Sequence, residues 1–318
     1  MKPVPKPRTH QKYERLIEAA ATAGPVATAV VYPCDEVSLQ GAVEAARLHL
    51  IDPILVGPAG RIRDIAARHE IDIDRFRIVD SQHSQDSAAK AVELVRAGEA
   101  EALMKGSLHT DEIMGAVVAR DTGIRTSRRI SHCFILDVPS HPEPLIVTDA
   151  AVNIAPTLDE KIDIVQNAID LAHALGSPQA RVAILSAMET VNSKVQSSLD
   201  AAALSKMADR GQITGGVVDG PLALDNAIDE EAAATKKITS PVAGRANILV
   251  APDLEAGNML AKALTFLAGA DCAGIVLGAR VPVILTSRAD SLTARLASCA
   301  VAALLAKYRR DQAVARAI

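Results

Sequence analysis

Aromatic rings are scarce in this chain of 318 residues, with three Phe, three Tyr and no Trp. Single-stranded nucleic acids are held largely by base stacking on such rings, so that class of partner is disfavoured. Basic excess is missing as well: 34 Lys and Arg face 38 Asp and Glu, a net charge of −4. A slightly acidic chain has no bulk attraction for a polyanion. The four cysteines, Cys34, Cys133, Cys272 and Cys299, form no CxxC pair. Neither a zinc site nor a redox dithiol is indicated, and thiols scattered in this way fit a reducing cytoplasm. No apolar run approaches the roughly 20 residues that cross a bilayer. The start, Met1–Arg8, is basic and Pro-rich with no apolar stretch behind it, unlike a signal peptide. The expectation is a cytoplasmic protein with no nucleic-acid partner, no membrane association and no metal.

What the chain has in quantity is aliphatic residue: hydrophobic types make up 49% of it, enough for one large or two ordinary domains. Residues 1–10 read as an arm and 11–24 as a helix closed by Gly24-Pro25. Short β-branched runs at 26–32, 54–57, 76–79 and 102–104 then alternate with Ala-rich stretches at 37–50, 58–69 and 84–96, spaced for one buried helical face. Runs without polar alternation predict strands buried on both faces, hence a parallel sheet covered by helices. Two further runs, 130–137 and 145–149, are joined by Val138–Pro144, which holds three prolines and no helical pattern. That connection predicts an antiparallel pair and a crossing between domains. The rhythm resumes with helices at 158–175, 191–209, 223–235 and 254–268 and strands at 182–185, 213–218 and 247–250. A last strand pair, 273–277 and 281–285, precedes a helix at 290–308. The expected fold class is α/β: two three-layer α/β domains with mostly parallel sheets and an interdomain cleft.

Ligands of open α/β sheets bind beyond the carboxyl ends of strands, so polar residues just after the strand runs are the candidates. Lys105-Gly106-Ser107 follows one of them. Gly106 permits close backbone approach, Lys105 offers a point charge for phosphate, and a helix opening at His109–Asp111 presents anion-favouring N–H groups. An ordinary βα turn with an exposed Lys fits the same residues, and the spacing is not that of a Walker A loop. Pro252–Asn258 follows the run at 247–250. Asp253 is a natural N-cap, and Gly257 and Asn258 fall in the first turns, where Gly costs about 1 kcal/mol against Ala. Either a ligand or a neighbouring strand would account for that cost. Ser287-Arg288 ends the last strand, and such a pair can donate to an oxyanion and grip a dianion, or merely precede a capped helix. The basic run Arg125–Arg129 complements phosphates or is a solvated loop, and Asp219-Gly-Pro221 is a cleft residue set or a turn. The eight His form no HxxxH pair and no Ser-His-Asp set. His132, in a strand beside Cys133, reads as structural.

Taken in order, Met104-Lys-Gly106, Asp149-Ala-Ala-Val-Asn153, Asp219-Gly-Pro221, Ser240-Pro-Val-Ala-Gly-Arg-Ala-Asn247, Pro252–Asn258 and Ser287-Arg288 resemble the phosphate acetyltransferase/phosphate butyryltransferase family over roughly residues 25–310. The resemblance implies reversible transfer of a short-chain acyl group between CoA and inorganic phosphate, with no bound cofactor, acyl-CoA and acyl phosphate being substrates. It also implies a homodimer and a C-terminal segment that returns to the first domain, giving 1–142 plus 278–318 as domain I and 143–277 as domain II. Carried over by motif, Ser287 matches the family serine that hydrogen-bonds the thioester or its intermediate, and Arg288 the arginine that holds the phosphoryl group. Lys105, Gly106, Arg129, Asp253, Gly257 and Asn258 are the further phosphate- and CoA-binding candidates. Two positions depart from acetyl-specific members: Thr265-Phe266 stand where an Arg is usual, and Ala294 stands where an Asp acts as base toward the CoA thiol. Asp290 is a weak substitute for that base. These departures resemble the butyryltransferase-type branch, which is also found associated with enoyl-CoA hydratases; no hydratase segment is apparent here. Two other readings stay open: an acyl-CoA-binding partner that has lost its base, and a nicotinamide-dependent decarboxylating dehydrogenase on a related scaffold.

Overall fold

The structure is a computed structural model that describes residues 11–286 and 291–317. After the helix Gln11–Ala23 (α1) come Val26–Val31 (β1), Glu36–Arg47 (α2), Ile51–Gly57 (β2), Ala59–Arg68 (α3), Ile78–Asp80 (β3), Ser84–Arg96 (α4), Ala102–Lys105 (β4) and Thr110–Val118 (α5). Ser131–Asp137 (β5) and Leu145–Thr148 (β6) follow. The second half adds Leu158–Ala174 (α6), Ala180–Leu185 (β7), Gln196–Asp209 (α7), Gly216–Leu222 (β8), Leu224–Ile228 (α8), Glu230–Thr235 (α9), Ile248–Val250 (β9) and Leu254–Phe266 (α10). Asp271–Leu277 (β10), Val283–Ile284 (β11) and Leu292–Ala317 (α11) close the chain.

The eleven strands among the described residues form one continuous sheet, in the order β3-β2-β1-β4-β11-β10-β5-β6-β9-β7-β8. Most neighbours are parallel, as unalternating apolar runs require; β1, for instance, is flanked by β2 and β4 and all but one of its residues are buried. The exceptions sit in the middle. β5 pairs antiparallel with β6, Phe134 opposite Val147, as the Pro-rich connection implies, and antiparallel with β10, which is itself antiparallel to β11. The strands of β4's group and those of β9's group run in opposite directions, so their carboxyl ends cannot converge on one edge of the sheet.

Boundaries moved where local signals competed. The segment 223–235 is two short helices, because Asp229 accepts from Ala232 N and starts the helix anew. The strand expected at 213–218 lies at Gly216–Leu222, so Asp219-Gly-Pro221 is inside a strand rather than after one. Proline is tolerated there because β8 is an edge strand and ladder donors are needed on one side only.

Helices cover the two faces unequally. On one, a continuous apolar core runs the length of the sheet beneath α1, α2, α6, α7 and α11, with Tyr13, Leu39, Ile169 and Val301 all buried. Small residues of α11, Ala297, Ala300 and Ala303, let it lie close on the sheet and against α1, which returns the C-terminal segment to the first half. On the other face the apolar contacts split into two separate clusters. One joins α4 and α5 to the strands around β1 and β4; the other joins α8 and α10 to β6, β7 and β9. Between them, among the described residues, α10 reaches only the flank of the central antiparallel strands, and a gap is left toward α5.

Candidate active site

A cleft of about 1740 Å³ occupies that gap. Its floor is the outer face of β5, where Ile130, His132 and Phe134 alternate with residues turned to the opposite core, together with Cys272 of β10 and Leu285-Thr286 beyond β11. One wall is α5, through Thr110, Asp111, Met114 and Val118. The other is the second half of α10, through Ala261, Lys262, Thr265 and Phe266. The loop Arg125–Arg129 closes one end.

Cations outnumber carboxylates along the lining: Lys105, Arg125, Arg128, Arg129 and Lys262 against Asp111, Asp163 and Asp271. Lys105 is the last residue of β4 and only 8% exposed, with its Nζ 3.4 Å from Gly106 O. Arg128 is held by Asp170 at 2.8 Å, and Arg129 by Glu160 at 3.0 Å. The Arg129 Nε also donates to Asn153 Oδ1 at 2.7 Å, and its backbone N–H to Asp163 Oδ2.

The turn after β6 supplies that anchor. Asp149 is buried and accepts from Ala151 N and Val152 N through Oδ1, and from Asn153 N and the Asn153 side-chain amide through Oδ2. Asn153 Nδ2 also donates to Ile130 O at 2.9 Å. The Asp149–Asn153 sequence is thus a self-closing turn whose last side chain ties the Arg129 guanidinium to the start of β5. His132 is nearby, 2% exposed, with its ring edge-on to Phe134 at a centroid distance of 4.4 Å. Burial pulls its pKa down from 6.5 to about 4, the Asp149 carboxylate opposing, so the imidazole is neutral at physiological pH. The buried thiols Cys133 and Cys299 are pushed up to about 12 by the same desolvation, which leaves them unreactive. Among the described residues no group of His, Cys, Asp and Glu is arranged to hold a metal ion, and no helix is long and apolar enough to cross a membrane.

The family model described as "Phosphate acetyl/butaryl transferase" matches residues 81–303. The chain belongs to that family. A phosphate acetyltransferase of Rhizobium meliloti is 63% identical over 97% of this chain and 98% of its own length. A phosphate butyryltransferase of Clostridium acetobutylicum is 44% identical over 87% of this chain and 92% of its own. Among solved structures, a branched-chain phosphotransacylase from Enterococcus faecalis V583 superposes with a TM-score of 0.77 at 31% identity, covering 88% of this chain and 99% of that one. The protein is an enzyme, a phosphate acyltransferase. Its relatives carry acetyl, butyryl and branched-chain names, so the acyl group does not follow from membership.

Placed on the phosphate acyltransferase fold, the sequence candidates separate. Lys105 and Arg129 line the cleft. Gly106 does not; a Cβ there would sit 2.5 Å from both Val31 O and Tyr32 O, because the residue after β4 is hydrogen-bonded to the end of the parallel neighbour β1. Asp253 caps α10 by accepting from Ala256 N at 2.8 Å. A Cβ on Gly257 would overlap Asp149 O, and Asn258 Nδ2 donates to Ala150 O at 3.0 Å. Gly257 and Asn258 hold the start of α10 against the turn after β6, Asp253 caps the same helix, and none of the three is among the lining residues; α10 reaches the cleft only further along. Ser287, Arg288 and Asp290 lie outside the described residues, but the residues on either side, Thr286 and Ser291, both line the cleft, and so does Ala294. Thr286 Oγ1 accepts from the buried Arg295 guanidinium at 3.2 Å. His132 and Lys262 were missed as lining residues. The signal for His132 was its period-two spacing with Ile130 and Phe134; Lys262 follows only once the face of α10 is known.

Proposed function

We propose that this cleft carries out reversible transfer of a short-chain acyl group between CoA and inorganic phosphate. The observation that supports the reading best is the charged lining around an apolar floor. The cations Lys105, Arg125, Arg128, Arg129 and Lys262 suit phosphate and the phosphates of CoA, while Ile130, Phe134, Val152 and Leu285 offer an apolar seat for a small acyl chain. In this reading Arg288 and Lys105 hold the phosphoryl group, and Ser287 donates to the oxyanion as phosphate or thiolate adds to the carbonyl. Asp253, Gly257 and Asn258 contribute indirectly, by fixing α10 and through it the wall that holds Lys262. Ala294 puts a methyl group where a base would stand, so CoA enters as thiolate formed in water; its thiol resembles that of Cys, with a reference pKa of about 8.5. Positioning and electrostatics then supply most of the rate. CoA and acyl-CoA act as substrates rather than resident cofactors. The reading includes two lobes, 1–142 with 278–318 and 143–277, in a homodimer of the cytoplasm.

Purified protein mixed with acetyl-, propionyl- or butyryl-CoA is expected to release free thiol only when phosphate is present, and one chain length is expected to dominate. Ser287→Ala and Arg288→Ala should each lower kcat/KM by about 100-fold or more with little change in Tm. Binding of acyl-CoA without phosphate-dependent thiol release would instead identify a non-catalytic acyl-CoA-binding protein.

A further inference from the structure

We propose that His132 is a further catalytic residue of the cleft, donating a hydrogen bond from Nε2 to the acyl oxygen of the bound thioester or acyl phosphate; the inference rests on the acyl-transfer reading above. His132, the second residue of β5, projects into the floor of the cleft between Ile130 and Phe134. The neighbouring strand leaves it room. Gly274 of β10 lies opposite Phe134, and a Cβ placed on it would fall 3.0 Å from His132 Nε2 and 3.3 Å from Leu285 O. The imidazole and the end of β11 therefore face each other across space that a missing side chain keeps open, and Leu285 leads directly into Thr286 and the Ser287-Arg288 pair. The other ring nitrogen, Nδ1, is buried without a hydrogen-bond partner among the described residues. Nε2 is the nitrogen beside the open space at Gly274 and Leu285 on the floor of the cleft, so it is the one that a substrate oxygen can reach.

The charge state decides which chemistry is available. Phe134, Gly274 and Leu285 bring no charge to the ring, and the charged group acting on it is the Asp149 carboxylate, which does not overcome the burial. With a pKa of about 4, the imidazole lies roughly four decades below a thiol of pKa about 8.5, so it is too weak a base to stand in for the one absent at Ala294. A neutral imidazole is instead an N–H donor that polarises a carbonyl without giving up its proton. The tautomer that fits carries the proton on Nε2 and leaves Nδ1 as a buried acceptor.

The test pairs kinetics with spectroscopy. In ¹⁵N-histidine-labelled protein the His132 Nε2 resonance should move when acetyl-CoA alone is added. His132→Leu should lower kcat for phosphate-dependent CoA release by about 100-fold while KM for acetyl-CoA changes by less than about threefold. His132→Gln, which retains an N–H, should recover about tenfold of that loss, and Gly274→Ala, which crowds the ring, should lower kcat by about tenfold. The wild-type kcat profile should show no ionisation between pH 6 and 7 that His132→Leu removes. The proposal is overturned if folded His132→Leu retains near wild-type kcat, if His132→Gln is no faster than His132→Leu, or if the resonance stays fixed at saturating acetyl-CoA. Should the leucine variant fail to fold, the resonance and the glutamine variant decide. A wild-type protein that turns over no acyl-CoA yet shows the moving resonance defeats the acyl-transfer reading and leaves the contact standing.

Discussion

Two turns of this chain look alike as sequence and serve different ends. Lys105-Gly106-Ser107 spans the end of β4 and Pro252–Asn258 follows β9; each sets a glycine and polar residues between the end of a parallel strand and the first turn of the next helix. In both, the glycine is required by the chain itself. Gly106 lies against the carbonyls of Val31 and Tyr32, and Gly257 against that of Asp149. The difference is in what the turn delivers. The first places Lys105 in the cleft; the second places no lining residue there, and its Asp253 and Asn258 bond to α10 and to Ala150. A glycine near a strand end therefore reports close backbone approach in both turns, and it does not say whether the polar residues beside it reach the cleft. Of these two carboxyl ends, that of β4 lines the cleft; on the other edge of the sheet the cleft is lined instead by Ala151 and Val152 after β6, the strand parallel to β9.

The largest effect should come from filling the glycine contacts. Gly257→Ala and Gly106→Ala each press a methyl group on fixed backbone atoms and should destabilise the fold by about 3 kcal/mol, read as a lower urea midpoint. A midpoint unchanged in Gly106→Ala would mean that its glycine serves a ligand after all. Next in size, Lys105→Ala should reduce kcat/KM by roughly 30-fold, about 2 kcal/mol, and shift Tm little. Equal losses of rate and stability would collapse the distinction between the two turns. Asn258→Ala removes one bond to a buried carbonyl and should cost about 1–2 kcal/mol of stability with KM for acyl-CoA preserved, as measured by denaturation and initial rates in parallel. A raised KM would move the second turn into the site. The smallest change is expected for Asp253→Ala, about 1 kcal/mol from a lost N-cap, with kcat unchanged.

Much of the fold was legible because its signals are local. Apolar β-branched runs, Ala-rich amphipathic stretches and Gly24-Pro25 marked the first half almost element by element, and the Pro-rich link 138–144 marked the antiparallel β5–β6 pair. The site was legible in part. Charge near strand ends picked out Lys105 and Arg129, which line the cleft, whereas Asp253, Gly257 and Asn258 bear on it through α10, because sequence order does not say whether a turn faces open space or the backbone of its neighbour. His132 was passed over because a lone histidine in an apolar strand looks like core.

The sequence by itself determined the α/β class, the strand and helix succession and, through six motifs in order, the family. Only the tertiary structure decided that the eleven strands form a single sheet and that the cleft lies over the face of its antiparallel centre rather than beyond its strand ends. The reason is that strand propensity depends on neighbouring residues, whereas strand direction, and the gap left between α5 and α10, depend on pairings such as β5 with β10, whose register joins residues more than a hundred positions apart.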